Sequence, residues 1–241
     1  MTADRRLYSM ELGRRDHTRW LGSSRYAGGA PLTLPTANLI AAYDARVGVT
    51  DVSGACSAWA DQSGNGFHGT QVTAANRPLI STTGGFASLL FDGVNDSIDV
   101  SSMSATAGTK TLYAVVNPTA FPLTHNTIFD TQTGRWLAGK MPPGQWGSFD
   151  TTERVSGQAA TTGLKRLEFE VLTGSARVWL NGTVGTTAAW TASTAIGGAS
   201  RIGNRYAAPD LPFAGHILFL AIYNAARNTD VSDYIFQEWG V

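Results

Sequence analysis

The sequence predicts an all-β chain: an antiparallel β-sandwich with an extended N-terminal arm and one short C-terminal helix. Three observations carry this. Short apolar runs recur at near-regular spacing, each bounded by Gly, Asn, Asp or Pro. Glycine occurs 27 times in 241 residues, enough to supply a turn after nearly every run. Only "DVSDYIFQEWG" (230–240) has helical spacing. There Thr229 or Asp230 is placed to cap the start, and Gly240 closes the end.

The elements follow in order. "NLIAAYDA" (38–45), "ASLLFDG" (87–93), "DSIDV" (96–100), "TLYAVVNP" (111–118) and "NTIFDTQ" (126–132) read as strands. In "RLEFEVLTG" (166–174), Leu167, Phe169 and Val171 point one way, and Glu168 and Glu170 the other, toward solvent. "ARVWLNGT" (176–183) completes a hairpin, with Asn181-Gly182 as the next tight turn. "SRIGNR" (200–205) and "FAGHILFLAIYN" (213–224) supply two more strands. The intervening "GRWLAGKMPPGQWGSFD" (134–150), rich in Gly and Pro, reads as a loop.

Composition bounds what the chain does. Hydrophobic residues make up 43% and charged residues 15%, enough for a sizeable core, and the formal net charge is zero. Zero net charge gives no global argument for nucleic-acid binding. Cys56 is the single cysteine, so no internal disulfide forms. No apolar run approaches the roughly 20 residues a membrane span needs. Residues 1–26 hold six arginines against Asp4, Glu11 and Asp16, together with Leu7, Tyr8, Trp20 and Tyr26. The arginines have no apolar region behind them, so the start does not read as a signal peptide. Two readings of residues 1–35 stay open: a solvated basic leader, or an anchoring arm in which Arg14, Arg15, Arg19 and Trp20 grip another subunit. Residues 36–241 are then the sandwich.

The stretch "WADQSGNGFHGT" (59–70) raises its own question, because a loop rarely specifies Trp, Asp and Phe together. Gly64 and Gly66 are positioned for positive φ, and Asp61 to accept hydrogen bonds from the backbone of the turn. Trp59 and Phe67 bracket it and pin it to the core. Phe91-Asp92-Gly93-Val94-Asn95-Asp96 reads as a similar strand end and turn. Asp92, Asn95 and Asp96 are the only candidate calcium ligands, without the spacing of a dedicated calcium loop. No other cofactor is expected.

Taken in order, "AYDA…WADQSGNGFHGT…ANRP…LLFDGVNDSI", then "VWLNG", "RIGNR" and "FAGHILFLAIYN", resemble a laminin-G-like, concanavalin A-like jelly-roll domain over residues 38–241. That resemblance implies the jelly-roll form of the sandwich. Its hosts include lectins, glycosidases, adhesion modules and virion proteins, so fold alone leaves function open.

Catalysis is not expected. The E-x-D-x-x-E strand of glycosidases on this sandwich is missing, and the histidines at 17, 68, 125 and 216 lack metal spacing. Glu168 and Glu170 share a strand face but sit beside Lys165 and Arg166, as on a solvated edge. For binding, Trp136 and Trp146, with Arg135, Asp150 and Tyr206, are the candidates. Two readings stay open: an exposed sugar-stacking platform, or two tryptophans plugging the ends of the sandwich. The expected function is a non-catalytic virion component, a phage-like head decoration, spike or tail protein. It would be multicopy or homo-oligomeric, assembled in the host cytoplasm, anchored to other virion proteins by its arm, and would bind a host-surface polysaccharide. The alternative is a carbohydrate-binding module or glycan-active domain of a cellular system.

Overall fold

A computed structural model describes residues 32–106, 108–133, 136–191, 196–206 and 210–241. The predicted anchoring residues Arg14, Arg15, Arg19 and Trp20, and Arg135 of the predicted binding set, lie outside the described residues.

The strands run β1 (Leu39–Asp44), β2 (Val49–Val52), β3 (Ala55–Trp59), β4 (Gly69–Thr70), β5 (Leu79–Thr83), β6 (Phe86–Asp92), β7 (Ile98–Thr106), β8 (Lys110–Pro118) and β9 (Asn126–Thr133). They continue with β10 (Leu137–Met141), β11 (Gln145–Phe149), β12 (Glu153–Ala159), β13 (Lys165–Leu172), β14 (Ser175–Leu180), β15 (Thr183–Val184), β16 (Ala188–Ala189), β17 (Ile196–Ile202) and β18 (Ala214–Tyr223). The helix α1 (Thr229–Trp239) follows.

All pairings are antiparallel and join the strands into one network folded into two layers. In the first layer β18 lies between β8 on one edge and both β6 and β1 on the other. β5 extends it beyond β6, and β13 and β14 extend it beyond β8. The second layer runs β2–β3–β4–β7–β17–β9–β10–β11–β12. β3 turns the corner, pairing β4 in one layer and touching β5 in the other through Ala55 and Leu79.

The predicted all-β sandwich is therefore present, and the core between its layers contains Trp59, Phe91, Leu112, Ile128, Phe169, Ile202, Leu220 and Ile222. A second apolar cluster covers the outer side of the first layer. Tyr113, Phe219, Ala221 and Tyr223 of the sheet pack there against Val231, Ile235 and Trp239 of α1. Burial of an apolar stripe holds such a short helix in place, since isolated helices of this length are marginal. Its N-cap is Asn228, whose side chain accepts from Asp230 N, rather than Thr229 or Asp230. Gly240, at φ 73°, ends it as expected.

This cover corrects the reading of Glu168 and Glu170. Their outward face is not solvated: α1 and the segment before it lie over it, and the two residues are 0% and 4% exposed. Arg227 Nε pairs with Glu168 Oε2. Ser232 Oγ donates to Glu168 Oε1 at 2.9 Å. Arg166 Nε lies 2.9 Å from the same oxygen as an ion pair, without hydrogen-bond alignment. Arg227 N donates to Glu170 Oε1 at 2.8 Å. Buried charges persist only when paired this way. The two carboxylates clamp the helix to the sheet.

The stretch 59–70 behaves as its residues predict. Gly64 and Gly66 have φ of 87° and 79°. Asp61 Oδ1 accepts from Ala42 N and Ser63 N, both at 2.9 Å, and Oδ2 accepts from Ser63 Oγ at 2.7 Å and Phe67 N at 3.0 Å. The carboxylate thus ties the turn to β1 as well as to itself. Trp59 is fully buried and donates from Nε1 to Asp44 O.

Candidate functional site

The described part of the segment, residues 136–150, is not a loop. Residues 137–141 and 145–149 form the β10–β11 hairpin, with Pro142, Pro143 and Gly144 confined to its turn. Strand alternation then decides where each tryptophan goes. Trp136, Ala138, Trp146 and Ser148 face the core, and Trp136 Nε1 lies 3.2 Å from Ser148 Oγ. Trp136 is 1% and Trp146 0% exposed, so neither ring offers a stacking surface. Of the two open readings, the packing one holds. Asp150, 1% exposed, is equally inaccessible. Burial alone would raise its carboxyl, but the N–H groups of Thr152, Thr151 and Thr191 and the Arg154 guanidinium hold it well below the usual carboxylate range. Its role is to shape the turn from β11 to β12.

The alternate residues of the hairpin face outward and form a transverse row. Across six neighbouring strands the register pairs Asp99 with Arg201, Arg201 with Asp130, Asp130 with Leu137, Leu137 with Phe149, and Phe149 with Glu153. Directly paired residues share a sheet face, so this row crosses the outer side of the second layer. Gly139 and Gly147 pair with each other on that face, each beside a register shift. A Cβ at Gly139 would lie 2.1 Å from Asn126 O, and one at Gly147 2.6 Å from Arg154 O. The two glycines let neighbouring backbone approach the hairpin closely.

At its Leu137–Phe149–Glu153 end the row becomes the floor of a cavity of about 160 Å³, walled by His125, Arg205 and Leu211. Phe149 meets His125 edge to face, with ring centroids 6.4 Å apart. His125 Nε2 lies 3.3 Å from Glu153 Oε1, and Arg205 Nη2 is 2.6 Å from Asp210 Oδ2. Asn204, fully buried, holds the wall: its Oδ1 accepts from Arg205 N at 2.8 Å and Leu211 N at 3.2 Å. Leu211 O in turn accepts from Thr127 N of β9. Thr127 Oγ1 and Asn204 Nδ2 are buried without a hydrogen-bond partner.

Tyr206 is the predicted binding residue that reaches this face. The Arg201 guanidinium lies over its ring, 5.4 Å from the centroid, and its N–H donates to Asp130 Oδ2 at 2.8 Å. His125, Leu137, Phe149, Glu153, Arg205 and Leu211 were not expected from sequence. The signal that would have found Leu137 and Phe149 is the alternation in "RWLAGKM" and "GQWGSFD", obscured by the Pro-Pro-Gly between.

Of the calcium candidates, the Asp92 and Asp96 carboxylates accept hydrogen bonds from their own turn. Asp92 Oδ1 accepts from Val94, Asn95 and Asp96 N, and Asp96 Oδ2 accepts from Asp92 N. Burial pushes the Asp96 carboxyl up to about 6. Among the described residues no cluster of three or more His, Cys, Asp or Glu is arranged to hold a metal ion. Among them, too, no helix is long and apolar enough to cross a membrane.

No family model and no curated protein matches the sequence. Solved structures do match in fold. Domain 4 of a GH43 extracellular arabinanase from Geobacillus stearothermophilus, in complex with arabinotriose, is 20% identical with a TM-score of 0.58, over 82% of this chain and 98% of that one. A Trypanosoma rangeli sialidase in complex with sialic acid is 13% identical with a TM-score of 0.57, over 86% of this chain and 34% of its own. Botulinum neurotoxin type C, whose cell entry depends on interaction with two ganglioside molecules, is 10% identical with a TM-score of 0.55 over 83% of this chain and 50% of its own. At these identities the likeness is one of fold, a β-sandwich.

Proposed function

We propose that this protein is a carbohydrate-binding module that holds a glycan in the cavity on the outer side of its second layer. The observation that carries this is the composition of that cavity. The Phe149 ring and Leu211 form apolar surface, with Leu137 buried, and His125, Glu153 and Arg205 place hydrogen-bonding groups of both kinds around it. Sugar rings present an apolar C–H face and a polar rim, which such a surface matches. The arabinotriose complex of a domain with the same fold supports the same class of ligand.

Recognition proceeds without turnover in this reading. Phe149 stacks on the sugar, while Glu153 accepts from hydroxyl groups and Arg205 donates to them. Glu168 and Glu170, the carboxylates nearest in pattern to a glycosidase pair, are buried in the helix clamp. The virion setting expected from the resemblance gains no support here: residues 1–31 lie outside the described chain, and none of the three structures named above is a virion protein.

A glycan array with the full chain tests the proposal, comparing wild type with Phe149→Ala. Phe149 lies on the outer face, so its loss should abolish binding with little change in melting temperature. Wild-type protein that binds no glycan on the array would refute the reading.

A further inference from the structure

We infer that the cavity selects an uncharged sugar, one ring in size, at the end of a glycan. This rests on the carbohydrate-binding reading and narrows it. Size comes first. Pockets for drug-sized ligands run to roughly 300–1,000 Å³, against about 160 Å³ here. A single ring fits that space, and the rest of the glycan must lie outside it.

Charge decides the rest. The lining contributes one cation, Arg205, and one anion, Glu153. Arg205 already faces the Asp210 carboxylate at 2.6 Å. The Glu153 side chain is 41% exposed, with His125 Nε2 at 3.3 Å. The formal charges of Glu153, Asp210 and Arg205 sum to one negative charge. A sugar carboxylate entering the cavity would share Arg205 with Asp210 while standing close to Glu153. Like charges at such separations oppose binding, and part-exposed groups are screened only partly. An uncharged hydroxyl meets no such conflict, because it donates to Glu153 and accepts from Arg205 at once. The apolar lining residues Leu137, Phe149 and Leu211 add no charge. Selection against acidic sugars is thus built into the lining.

The experiment is a titration of the full chain, followed by amide chemical shifts, with two neutral probes and two acidic ones. Methyl arabinofuranoside and methyl galactopyranoside are the neutral pair, and methyl glucuronoside and methyl sialoside the acidic pair. The neutral pair should bind in the millimolar range, shift the amides of Phe149, Glu153 and Arg205, and be insensitive to salt. The acidic pair should bind at least tenfold more weakly. In Glu153→Gln the ratio of acidic to neutral affinity should rise several-fold, a change in selectivity that loss of fold cannot produce. Acidic probes binding as tightly as neutral ones at this site would overturn the inference and leave the carbohydrate-binding reading standing. Absence of shifts with all four probes, alongside an empty glycan array, would overturn both.

Discussion

Replacing Asp61 with alanine tests how strongly one carboxylate secures the turn at residues 59–70. Three backbone N–H groups and the Ser63 hydroxyl lose their acceptor together. Hydrogen bonds to a charged group contribute about 1.5–3 kcal/mol each, and a buried donor left unpaired costs about 1–3 kcal/mol. The N–H groups of Ser63 and Phe67 are part-buried and regain water, whereas that of Ala42 is buried in β1 and does not. The expected loss is therefore about 3–5 kcal/mol, above the 0.5–2 kcal/mol of an ordinary cap. Against a total stability of about 5–15 kcal/mol this is a large fraction. Urea unfolding followed by tryptophan fluorescence measures it, since Trp59 leaves the core with the turn. Asp61→Asn, which keeps one acceptor oxygen but turns an amide toward a donor, should lose roughly half as much. A loss below about 1 kcal/mol for Asp61→Ala would refute the assignment of the turn's stability to this carboxylate.

Trp146→Ala should cost about 3–5 kcal/mol, seen as a lowered melting temperature, because it empties part of the core rather than a binding surface. Glu168→Gln leaves Arg166 and Arg227 under the helix with less counter-charge and should destabilise by about 3–5 kcal/mol, with earlier proteolysis at α1. Asp96 binds its proton more tightly in the folded protein, at about 6, than in the unfolded chain at about 3.9. Its contribution is fully present below pH 4 and is lost as pH rises through 6. The loss is about 2–3 kcal/mol by urea unfolding across that range, and Asp96→Asn should remove the slope.

The sequence shows plainly those parts of the fold where one period or one turn dominates. β13 alternates without interruption, β18 is a long, mostly apolar run ending at Tyr223, and Gly64 and Gly66 can only serve a left-handed turn. The strands that escaped notice are short or interrupted, such as β2, β4, β15 and β16. The β10–β11 hairpin was hidden because Pro142 and Pro143 dominate its composition, although they occupy only the turn. That error carried the site with it. Once 134–150 is a hairpin, Trp136 and Trp146 must take the inward positions and Phe149 an outward one. The fate of Glu168 and Glu170 was illegible for a different reason. Their strand pattern gives the face correctly, but nothing local tells that a helix 60 residues later lies over it. His125, Arg205 and Leu211 come together only through the pairing of β9 with β10 and β17, which no local pattern encodes.

The position of β18 governs when this chain can fold during synthesis. It pairs with β1, β6 and β8 at once, and its partners in β1 are about 180 residues earlier in the chain. Until Tyr223 has left the ribosome, β6 and β8 present unpaired edges and the first layer has no centre. Such long-range closure is slow and leaves intermediates open to aggregation. Nascent chains arrested after Pro212 should therefore be digested throughout by a protease that spares the finished protein. Resistance of the β6 and β8 segments at that length would show that the layer closes without its central strand.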